Sequence, residues 1–230
     1  MIAHSIFPTL VCEFNYEHKE QLKTNVFERL PNHINKFGQS NELTANVDLH
    51  KDPALADLFE FASTCAFSYL SALNIDKDLF DLNLVKTWMN ILKEGHTPIH
   101  NHADAHICFV YYVNVPEGYV KPINFIATPQ PNELFHAMFL HNVTEYNSWN
   151  STERYFAPHE GQMLVFPAKL FHRTSGYGSG TDIESADISS FYDKRIAIAG
   201  DFLLTYSKKI GRSYGLMPST NWNTYSQIDK

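Results

Sequence analysis

A mainly β fold with flanking helices follows from three features of the sequence. Helical periodicity is confined to the first 84 residues, short β-branched and aromatic runs fill the remainder, and Pro, Gly, Asn and Asp punctuate those runs. No segment of about 20 to 50 residues repeats, which sets solenoids and propellers aside. The expected layout is a single domain over 1–230: a helical support region over 1–84 packed on one sheet, a β core over 85–206 and a C-terminal extension over 207–230.

Residues 18–30 place Leu22, Val26, Phe27 and Leu30 on one helical stripe with Glu, Lys and Arg between them. This is an amphipathic helix whose apolar face needs a partner. Asp52 as N-cap and Pro53 at the first position open a second helix, carried on by Leu55, Leu58, Phe59, Ala62, Ala66, Tyr69, Leu70 and Leu73 at three-to-four spacing. Strands are expected at 85–92, 107–115, 123–127, 163–166 and 196–206. Two polar stretches, 128–160 and 173–194, read as long loops flanking the chemically interesting residues, where a substrate-binding lid would lie.

A chain of 230 residues with 44% hydrophobic and 19% charged side chains can bury one sizeable core and is not a disordered composition. The formal charge of −7 opposes non-specific binding to nucleic acid, which needs clustered cations to displace counterions. Cys12, Cys65 and Cys108 are odd in number and form no Cys-x-x-Cys pair, so neither a disulfide framework nor a thiolate metal site is indicated. No stretch approaches the roughly 20 apolar residues that span a bilayer, and the start of the chain lacks a signal-peptide pattern. The expectation is therefore a protein of the reducing cytosol, with no nucleic-acid or membrane partner.

The densest histidine cluster is His96, His100, His102 and His106, with Asp104 inside it. In a strand, side chains two apart share a face, so His102 and Asp104 would project together and could meet on one ion. Two imidazoles and a carboxylate suit non-haem iron(II) and leave coordination positions open. A His-x-Asp pair alone is a common coincidence, and solvated histidines at a strand end are the plain alternative. His172 adds weight, because it follows the Gly161–Pro167 run and can supply the third ligand.

Arg195 opens an alternating run in which Arg195, Ala197, Ala199 and Asp201 share one face, while Ile196, Ile198 and Phe202 take the opposite, core-like face. Alanines beside a buried guanidinium leave room for a carboxylate that it can grip bidentately. An edge-strand Arg in a surface ion pair is the competing explanation.

Together these residues resemble the Fe(II)- and 2-oxoglutarate-dependent oxygenase superfamily, in particular its prolyl-hydroxylase-like and its bacterial and phage members. The resemblance runs through Trp88-Met89-Asn90, His100 to Asp104, Val110-Tyr111-Tyr112-Val113, Gly161 to Pro167 with His172, and Arg195 to Ile198. It implies a double-stranded β-helix (jelly-roll, cupin-like) core and a hydroxylase that couples oxidative decarboxylation of 2-oxoglutarate to oxidation of a substrate. On the same resemblance, His102, Asp104 and His172 are the iron ligands and the catalytic set. Arg195 then holds the far carboxylate of 2-oxoglutarate, with Tyr112 hydrogen-bonded to the same group. The cofactors implied are Fe(II), 2-oxoglutarate as co-substrate and dioxygen, with ascorbate as an accessory reductant.

The implied substrate is a prolyl or other amino-acid residue in a peptide, protein or small molecule, and a homo-oligomer is left open. The implied location is the cytosol of a bacterium or of a phage-infected host. Arg195 follows His172 at a longer interval than the superfamily pattern, so 173–194 would be an insertion, and Lys194 or Arg173 are alternatives for the carboxylate. His100-x-His102 also resembles the ligand pair of metal-dependent cupins, which would use His100, His102 and His172, with His106 as a further candidate, and ignore 2-oxoglutarate. A non-catalytic jelly-roll module binding a sugar or a protein through Phe135, Tyr146, Trp149 and Tyr155 is the third alternative.

Overall fold

The computed structural model of the chain describes residues 8–34, 48–92, 97–118, 121–127, 144–145, 147, 149–174, 191–207 and 216–223. Strands dominate them: β1 (Cys12–Asn15), β2 (Phe80–Leu92), β3 (Ile107–Asn114), β4 (Ile123–Ile126), β5 (Glu153–Phe156), β6 (Gln162–Pro167), β7 (Phe171–Thr174) and β8 (Arg195–Tyr206). They pair antiparallel into a major sheet of order β1-β6-β3-β8-β2 and a minor sheet of order β5-β4-β7. From β3 onward the chain passes from the major sheet to the minor one and back, twice, and this crossing closes the two sheets into a jelly roll.

Every residue of β3 is buried, because its two faces serve two cores. Ile107, Phe109, Tyr111 and Val113 meet the helices, while Cys108, Val110 and Tyr112 point between the sheets. The helices are α1 (Lys19–Ile34) and α2 (Ala56–Ala72). Leu22, Val26, Phe27 and Leu30 of α1 and Leu58, Phe59, Ala62, Ala66, Tyr69 and Leu70 of α2 bury the outer face of the major sheet. Each large apolar side chain so covered contributes about 1.5 to 3 kcal/mol. The helical periodicity read in the sequence is this interface.

Asp52 does cap, accepting from the Ala54 backbone N–H at 3.0 Å, but the turn it opens, Pro53–Leu55, is a 3-10 turn that leads into α2. Arg29 of α1 ties to the same carboxylate at 3.1 Å. Strands β1, β5 and β7 are not among those expected from sequence. Each has four residues, too few for alternation to stand out, and β5 lies within the stretch taken for a loop. β2 begins at Phe80, where Asp81 and Asn83 disguise a segment that pairs with β8 as far as Tyr206. Most of 128–148 and all of 175–190, including Phe135 and Tyr146, lie outside the described residues, as does His96. None of the helices among the described residues is long and apolar enough to cross a membrane.

Gly200 of β8 sits where the major sheet leaves no room for a side chain. A Cβ there would lie 2.5 Å from Phe109 Cε1 and 3.0 Å from Thr87 Cγ2, so the Phe109 ring occupies the space a side chain would need. Gly200→Val is expected to lower the unfolding free energy by about 1 to 3 kcal/mol through overpacking. Urea denaturation measures this, and an unchanged midpoint would contradict the packing described.

Candidate metal centre and co-substrate pocket

Between the sheets lies a cavity of about 540 Å³ lined by both of them. Its chemistry begins with a short extended segment beside β7. Thr174 N–H donates to Thr97 Oγ1 at 2.7 Å, His100 and His172 exchange backbone hydrogen bonds at 3.0 and 2.9 Å, and His102 N–H donates to the Ala168 carbonyl at 2.8 Å. The segment therefore extends the minor sheet, with His100 paired antiparallel to His172. Strand alternation sets His100 and His102 side by side, their rings stacked with centroids 5.3 Å apart and planes 19° apart. The His100 and His172 rings are 4.3 Å apart and those of His102 and His172 5.2 Å. One ligand nitrogen from each of the three lies within 4.8 Å of the others.

The three rings share one hydrogen-bond pattern. Nδ1 of His100 meets the Pro98 carbonyl at 2.8 Å, Nδ1 of His172 meets the Leu170 carbonyl at 2.9 Å, and Nδ1 of His102 meets Asp201 Oδ1 at 2.5 Å. A carbonyl oxygen only accepts, so Nδ1 carries the proton in His100 and His172, and the carboxylate selects the same tautomer in His102. Each Nε2 is then left with its lone pair. Tying the distal nitrogen to an oxygen acceptor is how metal-binding histidines are oriented.

His172 is 7% exposed, with the Phe166 ring at 5.1 Å and the Phe125 ring at 6.1 Å. Burial among them pushes its pKa down to about 4, against the opposing pull of the Leu170 carbonyl. Such an imidazole is neutral, and competent as a ligand, throughout the physiological range.

Of the residues expected from sequence, the fold brings His102 and His172 together and adds His100. Asp104 lies on the turn at Ala103–Asp104, exposed, lining the same cavity but outside the convergent set. His106 is elsewhere: its Nδ1 accepts from the Leu204 backbone N–H at 2.9 Å. Arg195 is 2% exposed and lines the cavity, its guanidinium 5.6 Å from the centre of the fully buried Tyr112 ring. The alternation read in β8 holds, since Arg195, Ala199 and Asp201 line the cavity while Ile196, Ile198 and Phe202 join the helix-facing core. Arg173 instead pairs with Glu153 at 2.8 Å, and Lys194 lies 4.8 Å over the Phe191 ring. Trp149 and Tyr155 are 50% and 73% exposed.

Three further contributors went unassigned in the sequence. Asp201 and Cys108 stand behind His102, and the Trp88 ring lies 5.3 Å from it. Trp88 reaches the cavity because β2 carries an irregularity between Leu84 and Lys86. Leu82 and Leu84 pack towards the helices, whereas Lys86, Trp88 and Asn90 line the cavity, so the extra residue inverts the parity of the strand. Lys86 Nζ sits 4.9 Å over the Trp88 ring. Among the described residues, Lys86 and Arg195 are the cations of the cavity.

The lowered pKa of His172 has a consequence for stability without metal. Below its ordinary value near 6.5 the unfolded chain takes up a proton that the folded chain refuses until about pH 4. Stability is therefore complete above pH 6.5 and declines as pH falls towards 4, by up to about 3 kcal/mol. Urea denaturation of metal-free parent and His172→Gln proteins at pH 7 and 4.5 tests this. The parent should lose about 1 to 3 kcal/mol more than the variant, and equal losses would contradict the burial argument.

Residues 86–184 match the family model described as "Putative 2OG-Fe(II) oxygenase". No curated protein matches the sequence. Among solved structures, the chain is similar to the non-heme alpha ketoglutarate dependent epimerase SnoN from nogalamycin biosynthesis (TM-score 0.54, 11% identity, 95% of this chain and 89% of that one covered). It is similar also to the viral collagen prolyl hydroxylase of Paramecium Bursaria Chlorella virus-1 in its 2OG complex (TM-score 0.52, 9% identity, 84% and 94% covered). A third likeness is to HygX from Streptomyces hygroscopicus with nickel and 2-oxoglutarate bound (TM-score 0.50, 12% identity, 84% and 82% covered). At these identities the likeness is one of fold, the double-stranded β-helix. Residues 86–184 are thus similar to the 2OG-Fe(II) oxygenase family model, and the fold is the double-stranded β-helix of these solved structures.

Proposed function

We propose that the chain is an iron(II)- and 2-oxoglutarate-dependent dioxygenase that hydroxylates a prolyl or other amino-acid residue, and that His100, His102 and His172 hold its metal. The observation that carries this reading is the convergence of three imidazoles whose Nδ1 atoms are all engaged, leaving three Nε2 lone pairs for one ion. A set of neutral imidazoles fits iron(II). His100 takes the third place because its ring already adjoins that of His172. Asp104, the carboxylate expected from sequence, reaches the same ion only if its exposed turn folds inward.

Arg195 is the proposed partner of the far carboxylate of 2-oxoglutarate. It is a buried planar guanidinium beside the Tyr112 ring, within the cavity that the histidines line. Iron(II) held by these histidines, with 2-oxoglutarate, would supply the activation of dioxygen. The chain holds the ligands, orients the co-substrate with Arg195 and keeps water from His172 with Phe125 and Phe166. The three-histidine set also suits a cupin-type metalloenzyme, which would differ in ignoring 2-oxoglutarate.

Succinate formation from 2-oxoglutarate by iron-loaded protein in air, beside a His172→Ala control, tests the reading. Turnover in the parent that is lost in the variant is expected, and tight metal binding with no succinate would favour the cupin-type alternative. Arg195→Ala should raise the 2-oxoglutarate concentration needed for half-maximal turnover at least roughly tenfold while metal affinity survives, since a charge-assisted bidentate contact is removed. A parent-like requirement would remove Arg195 from this role.

A further inference from the structure

We infer that Asp201 is the positioning residue of the metal centre: one hydrogen bond removed from the ion, its carboxylate orients His102 and supplies the negative charge that three neutral imidazoles lack. The inference rests on the proposed three-histidine set.

Asp201 is 7% exposed on the cavity face of β8, opposite Cys108 of β3 and Lys86 of β2. A buried carboxylate is costly unless its oxygens are satisfied. Here Oδ1 accepts from His102 Nδ1 at 2.5 Å and from the Cys108 thiol at 3.1 Å, and Cys108 Sγ is itself 3.1 Å from His102 Nδ1. The three groups form a closed triangle behind His102, on the side away from its Nε2. Within it the Cys108 thiol donates to the carboxylate, and His102 faces the triangle with Nδ1, leaving Nε2 for the other two histidines.

The role follows from charge. A two-histidine, one-carboxylate set offsets one of the two charges of a divalent ion through direct ligation, whereas three neutral imidazoles offset none. A carboxylate hydrogen-bonded to the far nitrogen of a ligating imidazole increases the basicity of that ring and returns part of the offset through it. Asp201 is the acidic residue among the described ones that touches any of the three rings in this way, since His100 and His172 are tied to backbone carbonyls. Cys108, directly across from Asp201 in the β3–β8 ladder, donates to Oδ1 and keeps the carboxylate turned towards His102.

Titration of the full metal-free chain with cobalt(II), followed by calorimetry, tests the inference. Asp201→Asn keeps an oxygen acceptor for His102 but removes the charge, and Asp201→Ala removes both. Affinity should fall about tenfold in Asp201→Asn and up to about a hundredfold in Asp201→Ala, with a smaller loss in Cys108→Ala. The urea midpoint of metal-free Asp201→Asn should stay at the parent value, which separates a metal effect from a folding one. Parent-like cobalt affinity in Asp201→Asn and Asp201→Ala would overturn the inference while leaving the three-histidine reading intact. Equally weak binding by the parent and by His102→Ala would instead overturn that reading.

Discussion

The antiparallel pair of His100 and His172 is the constraint on which the site depends. Their two backbone hydrogen bonds convert a stretch that could have been a loop into an extension of the minor sheet. That pairing fixes which way the side chains face, and from it follow the proximity of two rings and, by alternation, the position of the third. The carbonyls of Pro98 and Leu170 lie two residues before the histidines they hold, so the same extended backbone that brings the rings together also sets their tautomers.

The rest of the jelly roll lets such a polar cluster exist inside a small protein. The apolar burial that stabilises the fold is concentrated on the outer face of the major sheet, under α1 and α2. Its inner face is thereby left to Arg195, Asp201 and Trp88, which line the cavity with the histidines of the minor sheet and its extension. Two devices sort side chains between these faces. In β8 a strict alternation sends the isoleucines outward and the small or charged residues inward, and in β2 the irregularity after Leu84 inverts the alternation so that Lys86, Trp88 and Asn90 face the cavity.

Much of this was legible in the sequence, and the failures have local causes. The stripe of Leu22, Val26, Phe27 and Leu30, the cap at Asp52 and the two faces of β8 are short-range patterns, and the structure follows them. Which neighbour would converge with His102 and His172 was not decidable in the same way, because His100-x-His102 and His102-x-Asp104 satisfy the same two-residue rule. In the fold it is the His100 ring, because of where the strand stops. It stops at Ala103–Asp104, where hydrogen bonds from His102 N to Ala168 and from Ala168 N to the His106 carbonyl turn the chain towards β3. Nothing near Asp104 announces those partners. Asp201 was placed on the inward face, but its contact with His102 spans 99 residues and that with Cys108 spans 93, distances at which only the assembled sheet defines neighbours.

The most direct test of the account is to count the imidazoles on the metal, by pulsed electron paramagnetic resonance or X-ray absorption of the iron- or cobalt-loaded chain, with His100→Ala and Asp104→Ala variants alongside. The account predicts three histidine nitrogens in the parent, two in His100→Ala and three still in Asp104→Ala. Two histidines and a carboxylate in the parent, with the carboxylate lost in Asp104→Ala, would contradict it.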